Sequence, residues 1–252
     1  MEKNDEVLKR RIQDLALLAD RRGCILYSDF LSLYEQNILF DLLQKFSWIH
    51  GETFGGYEGA ERRMAAFLPS DASMQDAVYP ISCIRIVPAQ RKFAEQLSHR
   101  DILGALMNLG IERSKTGDIA VLEQEAFLFC SSQFASLVCD ELNRIRHTTV
   151  RCTVCQPEDF TYAPSLERIR GSVASVRLDA VIALAFHASR SSLISLIEGG
   201  SVFVNGRLIT TNAYSLKSGD LVSVRGHGRF RYCDVSGQSK KGRIWVEIDK
   251  YV

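Results

Sequence analysis

At 252 residues and 28.3 kDa the chain is longer than one compact core usually needs, so its length implies two domains or three small ones. With 46% hydrophobic and 24% charged residues it has the composition of an ordinary soluble globular protein, and no run approaches the ~18 apolar residues of a membrane-spanning helix. The net charge of +1 alone argues against a nucleic-acid binder, yet it is unevenly spread: residues 1–176 hold 20 basic and 24 acidic side chains, whereas residues 177–252 hold 11 and 6, a balance of +5.

The opening residues, MEKNDEVLKRRIQDLALLAD, lack the uninterrupted apolar stretch of a secretory signal, and Glu2, Asp5, Glu6 and Asp14 oppose an organelle presequence. Val7, Leu8, Ile12, Leu15, Leu18 and Ala19 recur at helical spacing and predict a helix over 5–21. A second helix is expected from about Tyr34 to Phe46, N-capped by Ser32 and burying Ile38, Leu39, Leu42, Leu43 and Phe46. Together they would form a helical N-terminal unit over 1–50. The basic pairs Arg10-Arg11 and Arg21-Arg22 read as solvated helix faces.

Residues 81–87 read as a strand, 98–110 as a helix, and 118–123 and 126–130 as two strands joined by a tight turn at Gln124-Glu125. A helix over 131–145, capped by Ser131 or Ser132, and a strand over 148–154 complete a βαββαβ order. That order is the split βαβ plan of ferredoxin-like folds and RNA-recognition modules, here a middle domain over 51–158. Such modules stack bases on aromatics of their first and third strands. The first strand has none, and Phe127 and Phe129 of the third suit a core equally well, so binding here needs another surface.

The cysteines, seven and scattered, fit reduced thiols of a cytoplasmic protein better than a disulfide framework. Cys152-x-x-Cys155 has no second pair to complete a zinc site, and on a strand the two would point to opposite faces. After it, QPEDFTYAPSLERIRGS carries Pro157 and Pro164 and reads as an inter-domain connection, with the linker at 159–175.

The last domain, 176–252, opens with a short helix from Arg177 to Phe186. Ser189 N-caps a second helix that buries Leu193, Ile194 and Ile197 and ends at Gly199-Gly200. SVFV and RLIT flank Asn205-Gly206, a strong hairpin signal, and Gly219-Asp220 turns the chain into LVSVRG. Arg190, at a helix start, adds to the positive end of the helix dipole. Arg177, Arg190, Arg207 and Arg225 would ring one phosphate-binding surface, extended by Arg229 and Arg231. Lys240, Lys241 and Arg243 fit a solvated hairpin turn as well as a contact.

The RLD opening, Ser189-Arg190, the V-x-V-N-G turn (Val202 to Gly206) and the Gly-Asp before the last strand resemble, in order, the S4 RNA-binding domain. Thr211 and His227 stand where many such domains have lysine. Upstream, FGGYEGAERRMAAFLP (54–69) and LSHRDILGALMNLGIERSKTGDI (97–119) are similar to the YlmH-type family of bacterial S4-domain proteins, which extends the likeness to nearly the whole chain. It implies an α+β fold: a helical N-terminal unit, a ferredoxin-like, RRM-like βαββαβ middle domain and a C-terminal S4-type αα-β domain with a β extension.

The resemblance also implies a noncatalytic RNA-binding protein without cofactor, monomeric when free. Its partners would be structured rRNA and tRNA on the large ribosomal subunit, in rescue or quality control of stalled ribosomes; the family is also associated with cell-division gene clusters. The RNA-binding residues implied are Arg177, Ser189, Arg190, Asn205, Arg207, Arg225, Arg229 and Arg231. In the polar, Gly-rich 54–118 region, Arg62, Arg63, His99, Arg100, Arg113 and Lys115 fit a second RNA or ribosome surface, or structural caps and turns.

Catalytic readings find less support. His99-Arg100-Asp101 looks like a kinase loop, but Leu106 stands where that loop needs asparagine, so His99 and Arg100 are expected to cap or brace the helix. Arg177-Leu178-Asp179 echoes a pseudouridine synthase's catalytic Asp, yet lies inside the S4-like helix. No P-loop or G-x-G-x-x-G occurs. An RNA-modifying enzyme with an S4 delivery module, and a division-linked scaffold, stay open as alternatives.

Overall fold

The computed structural model describes residues 2–70, 72, 77–90, 92, 94–156, 160, 164–239 and 242–252, without the side chains of Glu2, Lys3, Arg190 and Ser191. Residues 1–162 and 163–252 form separate units.

In the first unit, helix α1 (Glu2–Arg22) buries a stripe of Ile12, Ala16 and Ala19. Strand β1 (Leu26–Leu31) follows. Helix α2 (Leu33–Lys45) starts at Ser32 in a capping box: the Glu35 N–H donates to Ser32 Oγ at 3.4 Å, and the Ser32 N–H donates to the Glu35 carboxylate at 2.7 Å. Strands β2 (Gly51–Phe54) and β3 (Arg63–Phe67) complete an antiparallel sheet in the order β1-β3-β2. The N-terminal element is therefore not purely helical, and the boundary expected after residue 50 cuts through a sheet. The cause is non-local: β1 carries no clean alternation and pairs with a strand more than thirty residues away. Buried Ser28 sits at an irregularity between Tyr27 and Phe30, where its Oγ accepts the Ala65 N–H at 2.9 Å.

The middle elements are β4 (Ile81–Pro88), α3 (His99–Asn108), β5 (Thr116–Val121), β6 (Ala126–Ser131), α4 (Ala135–Glu141), β7 (Arg144–Ile145) and β8 (Thr148–Cys155). The antiparallel sheet order β5-β6-β4-β8-β7 contains the ferredoxin-like arrangement, as the βαββαβ spacing predicts. Period-two alternation sends Ile84, Ile86 and Leu128 toward Ile102, Leu106 and Val138 of the helices. The helix expected over 131–145 is shorter. Ser131 and Ser132 make no side-chain cap, a 3-10 turn at Ser132–Phe134 precedes α4, and Arg146 at φ 53° turns β7 back onto β8.

The second unit consists of β9 (Leu166–Val173), α5 (Leu178–Phe186), α6 (Arg190–Glu198), β10 (Val202–Val204), β11 (Arg207–Leu208), β12 (Leu221–Val224), β13 (Gly228–Gln238) and β14 (Ile244–Tyr251). They form an antiparallel sheet ordered β11-β10-β12-β13-β14-β9. The helices cover one face, where Leu178, Val181, Leu193 and Ile197 pack on Val202, Val222, Phe230, Val246 and Ile248. Asn205 (φ 48°) and Gly206 (φ 76°) make the expected hairpin turn.

The stretch expected to be a linker over 159–175 contains β9, paired along its whole length with β14 from Leu166↔Tyr251 to Val173↔Ile244. Glu167, Arg168 and Arg170 give it a loop-like composition because only one face is covered. Gly171 lies under Leu184, whose Cδ1 would stand 2.3 Å from any Cβ there. Pro157 and its neighbours to 159 lie outside the described residues.

Candidate nucleic-acid interface

On the helix side of the second unit, Arg177 is the N-cap residue of α5. Its guanidinium donates to both carboxylate oxygens of Asp179, at 3.1 and 3.3 Å. Asp179 is buried while Arg177 stays half-exposed, so the carboxylate fixes the direction of a cation that reaches solvent. Ser189 caps α6 by accepting the Ser192 N–H at 3.4 Å, which makes Arg190 the first residue of that helix; the Arg190 side chain lies outside the described residues. Arg207 is exposed on β11 opposite Val204, an inward-facing residue, and so belongs to the helix side.

Asn205 has a different task. Its Nδ2 donates to Asp220 at 2.8 Å and its Oδ1 accepts the Leu221 N–H at 2.9 Å. Asp220 also accepts the Lys217 N–H at 2.8 Å. The Asn-Gly turn and the Gly-Asp turn are thereby locked together, and both ends of the Asn205 side chain are engaged inside the fold.

The single ring of arginines expected from the sequence divides in two. Phe203 alternates with buried Val202 and Val204 and points away from the helices, and the Arg225 guanidinium lies 4.9 Å over its ring. Arg229 and Arg231 flank buried Phe230 and share that outer face: Arg229 lies 4.4 Å over the Tyr251 ring, and Arg231 donates to the Tyr251 hydroxyl at 3.3 Å. Phe203 and Tyr251 were not legible as partners, because only cross-strand register brings them to the arginines. Arg243 donates to Ser172 Oγ at 3.0 Å and ties β14 to β9, whereas Lys240 and Lys241 lie outside the described residues.

In the first unit the proposed second surface is largely interior bracing. Arg62 donates to the carbonyls of Thr116 (2.9 Å), Phe30 (3.0 Å) and Arg113 (3.1 Å). Arg113 donates to the Thr116 carbonyl and hydroxyl and to the Gly117 carbonyl. Asp118 accepts the Tyr57 hydroxyl at 2.8 Å and the backbone N–H groups of Glu61 and Arg62 at 2.7 and 3.1 Å. Burial lowers the pKa of Arg62; burial, with Arg62 beside it, pushes Arg113 down to about 10, which leaves Arg113 cationic at neutral pH.

Arg63 donates to the Ala60 carbonyl, and Lys115 pairs with Asp29 at 2.6 Å. Of the six, His99 and Arg100 remain exposed, as the first residues of α3. They do not cap it: Ser98 and Asp101 form that capping box. On the RRM-like face Phe127 and Phe129 are buried, the rings of Tyr57 and Phe160 pack against Phe129 at 4.9 and 4.8 Å, and the backbone of Gly56 lies against the Phe129 ring.

Cys152 packs on the helix side of β8 and Cys155 on the opposite face, as the strand period requires. Burial pushes Cys130 and Cys152 up to about 12, so neither supplies a thiolate at neutral pH. Among the described residues no cluster of three or more His, Cys, Asp or Glu is placed to hold a metal, and no helix is long and apolar enough to cross a membrane.

Two domain models match the chain. Residues 75–159 match the one described as "Putative RNA-binding domain in YlmH", and residues 176–222 match the S4 domain. The chain is 31% identical over 197 residues to ribosome-associated protein quality control protein P2 of Bacillus subtilis, covering 78% of this chain and 76% of that protein. Small ribosomal subunit protein uS4 of Coxiella burnetii is 27% identical over 108 residues, 38% of this chain and 52% of uS4. Among solved structures, cell division protein YlmH from Streptococcus pneumoniae superposes with a TM-score of 0.51 at 23% identity, covering 63% of this chain and 95% of that one, a likeness of fold.

Proposed function

Since the chain belongs to the YlmH family of S4-domain proteins, we propose that it is a noncatalytic factor that binds folded ribosomal RNA and tRNA and works at the large ribosomal subunit, in quality control of stalled ribosomes. The observation that carries this reading is the Arg177–Asp179 clasp at the N-terminus of α5. A buried carboxylate aims one guanidinium outward, Ser189 sets Arg190 at the head of a helix, and Arg207 lies on the same side. Fixed cations of this kind bind phosphates, and selectivity then comes from the shape of the folded RNA. The balance of +5 over residues 177–252 supplies the accompanying field.

Asp179 argues against the pseudouridine-synthase alternative, because its carboxylate is buried and already held by Arg177. In solution the protein acts as a monomer in the cytoplasm and needs no cofactor. The test is the salt dependence of binding to a tRNA. Arg177→Ala should weaken binding and shallow the log K against log[salt] slope by about one unit. An unchanged slope and affinity would remove Arg177 from the interface.

A further inference from the structure

The helix-free face of the second unit's sheet carries an ordered row of side chains. Cross-strand pairing sets Leu208 opposite Phe203, Phe203 opposite Ser223 and Ser223 opposite Arg229; the adjoining register sets Arg229 beside Tyr251, and Tyr251 faces Leu166. The row crosses all six strands, and its ends, Leu208 and Leu166, are exposed. A guanidinium covers each ring of the row: Arg225 over Phe203 and Arg229 over Tyr251.

Charge is graded across this face. Asp249, in the next row, is clasped by Arg168 at 2.8 and 3.0 Å, and Glu247 faces Arg170. The Phe203–Tyr251 row itself contains no carboxylate and is flanked by Arg225 and Arg231. Phe203 and Tyr251 lie three strand spacings apart, roughly 14 Å. Small Ser223 between them leaves a shallow floor.

We propose that this sheet face is a second RNA-binding surface, one that takes unpaired nucleotides by stacking their bases on the Arg225–Phe203 and Arg229–Tyr251 pairs. Aromatic rings and guanidinium planes are the two platforms that unpaired bases use, and a cationic, carboxylate-free row favours a polyanion over an apolar protein segment. The helix side would grip the phosphates of folded RNA while the sheet side holds a looped-out or single-stranded part. The inference rests on the RNA-binding reading above and deepens it.

The test uses the full chain and two fluorescein-labelled probes, a twelve-nucleotide unstructured RNA and a fully paired RNA duplex. Phe203→Leu with Tyr251→Leu, both at partly exposed positions, should weaken binding of the unstructured probe at least about five-fold and leave the duplex unchanged. Arg229→Lys, which keeps the charge and loses the plane, should weaken the same probe with an unaltered salt slope. Trp245 lies on this face, so in a Trp48→Phe background its emission should be quenched by the unstructured probe. Unchanged affinity of the leucine variant for the unstructured probe would overturn the proposal, as would a variant that lost only a copurifying protein. If Arg177→Ala still weakens duplex binding in that case, the RNA-binding reading stands and only the sheet face falls.

Discussion

Replacing Arg62 by alanine removes three hydrogen bonds at once, to the carbonyls of Thr116, Phe30 and Arg113. A hydrogen bond from a charged donor contributes about 1.5 kcal/mol at the low end of its range. Two of these carbonyls keep another donor: Thr116 O still accepts from Arg113, and Arg113 O still accepts the Thr116 hydroxyl. The expected loss is therefore about 3 kcal/mol rather than the full sum. For a unit of this size that lowers Tm by roughly 6–12 °C. Unfolding followed by Trp48 emission in a Trp245→Phe background reads the first unit alone. Arg62→Lys should recover less than half of the loss, because one ammonium cannot reach carbonyls in three directions. RNA affinity of the folded protein should not change. A fall in RNA affinity with a Tm shift under about 2 °C would refute the bracing role and return Arg62 to the surface.

Asp179→Asn makes the C-terminal unit more positive, so charge alone would tighten RNA binding; loss of the clasp on Arg177 should instead weaken it about ten-fold in a filter-binding assay, and unchanged or tighter binding would contradict the positioning role. Asn205→Ala loses both side-chain bonds that join the two turns and places alanine at φ 48°, so urea unfolding should show the second unit destabilised by about 2–3 kcal/mol, with the RNA affinity of the folded fraction unchanged. A loss of affinity without a loss of stability would make Asn205 a contact residue. Gly171→Leu should unfold the second unit at lower urea, since its side chain has to displace Leu184; an unchanged midpoint would mean that β9 is not packed on α5.

The features legible in the sequence are those written locally. Ser32 announces α2, Asn205-Gly206 announces its hairpin, and the order of strand-like and helix-like segments over 81–154 announces the middle sheet. Strands β1 and β9 were hidden for the opposite reason. Their pairing partners lie some thirty and eighty residues away, and the charged outer face of β9 has the composition of a loop. The site divides along the same line. Arg177, Ser189 and Arg207 lie on the helix side of the second unit, whereas the faces of Arg225, Arg229 and Arg231 depend on strand register. Arg62 and Arg113 read either as surface cations or as structural braces, because nothing in a Gly-rich polar stretch tells which backbone carbonyls will surround them.

The proposal that this chain holds ribosomal RNA through the helix side of its S4 domain is tested by sedimentation of the tagged protein through a sucrose gradient, with the copurifying RNA sequenced. The wild-type chain should travel with large ribosomal subunits and bring down rRNA and tRNA, and the double variant Arg177→Ala, Arg190→Ala should stay near the top of the gradient. Wild-type protein that migrates with neither subunits nor RNA, or a double variant that sediments as the wild type does, would contradict it.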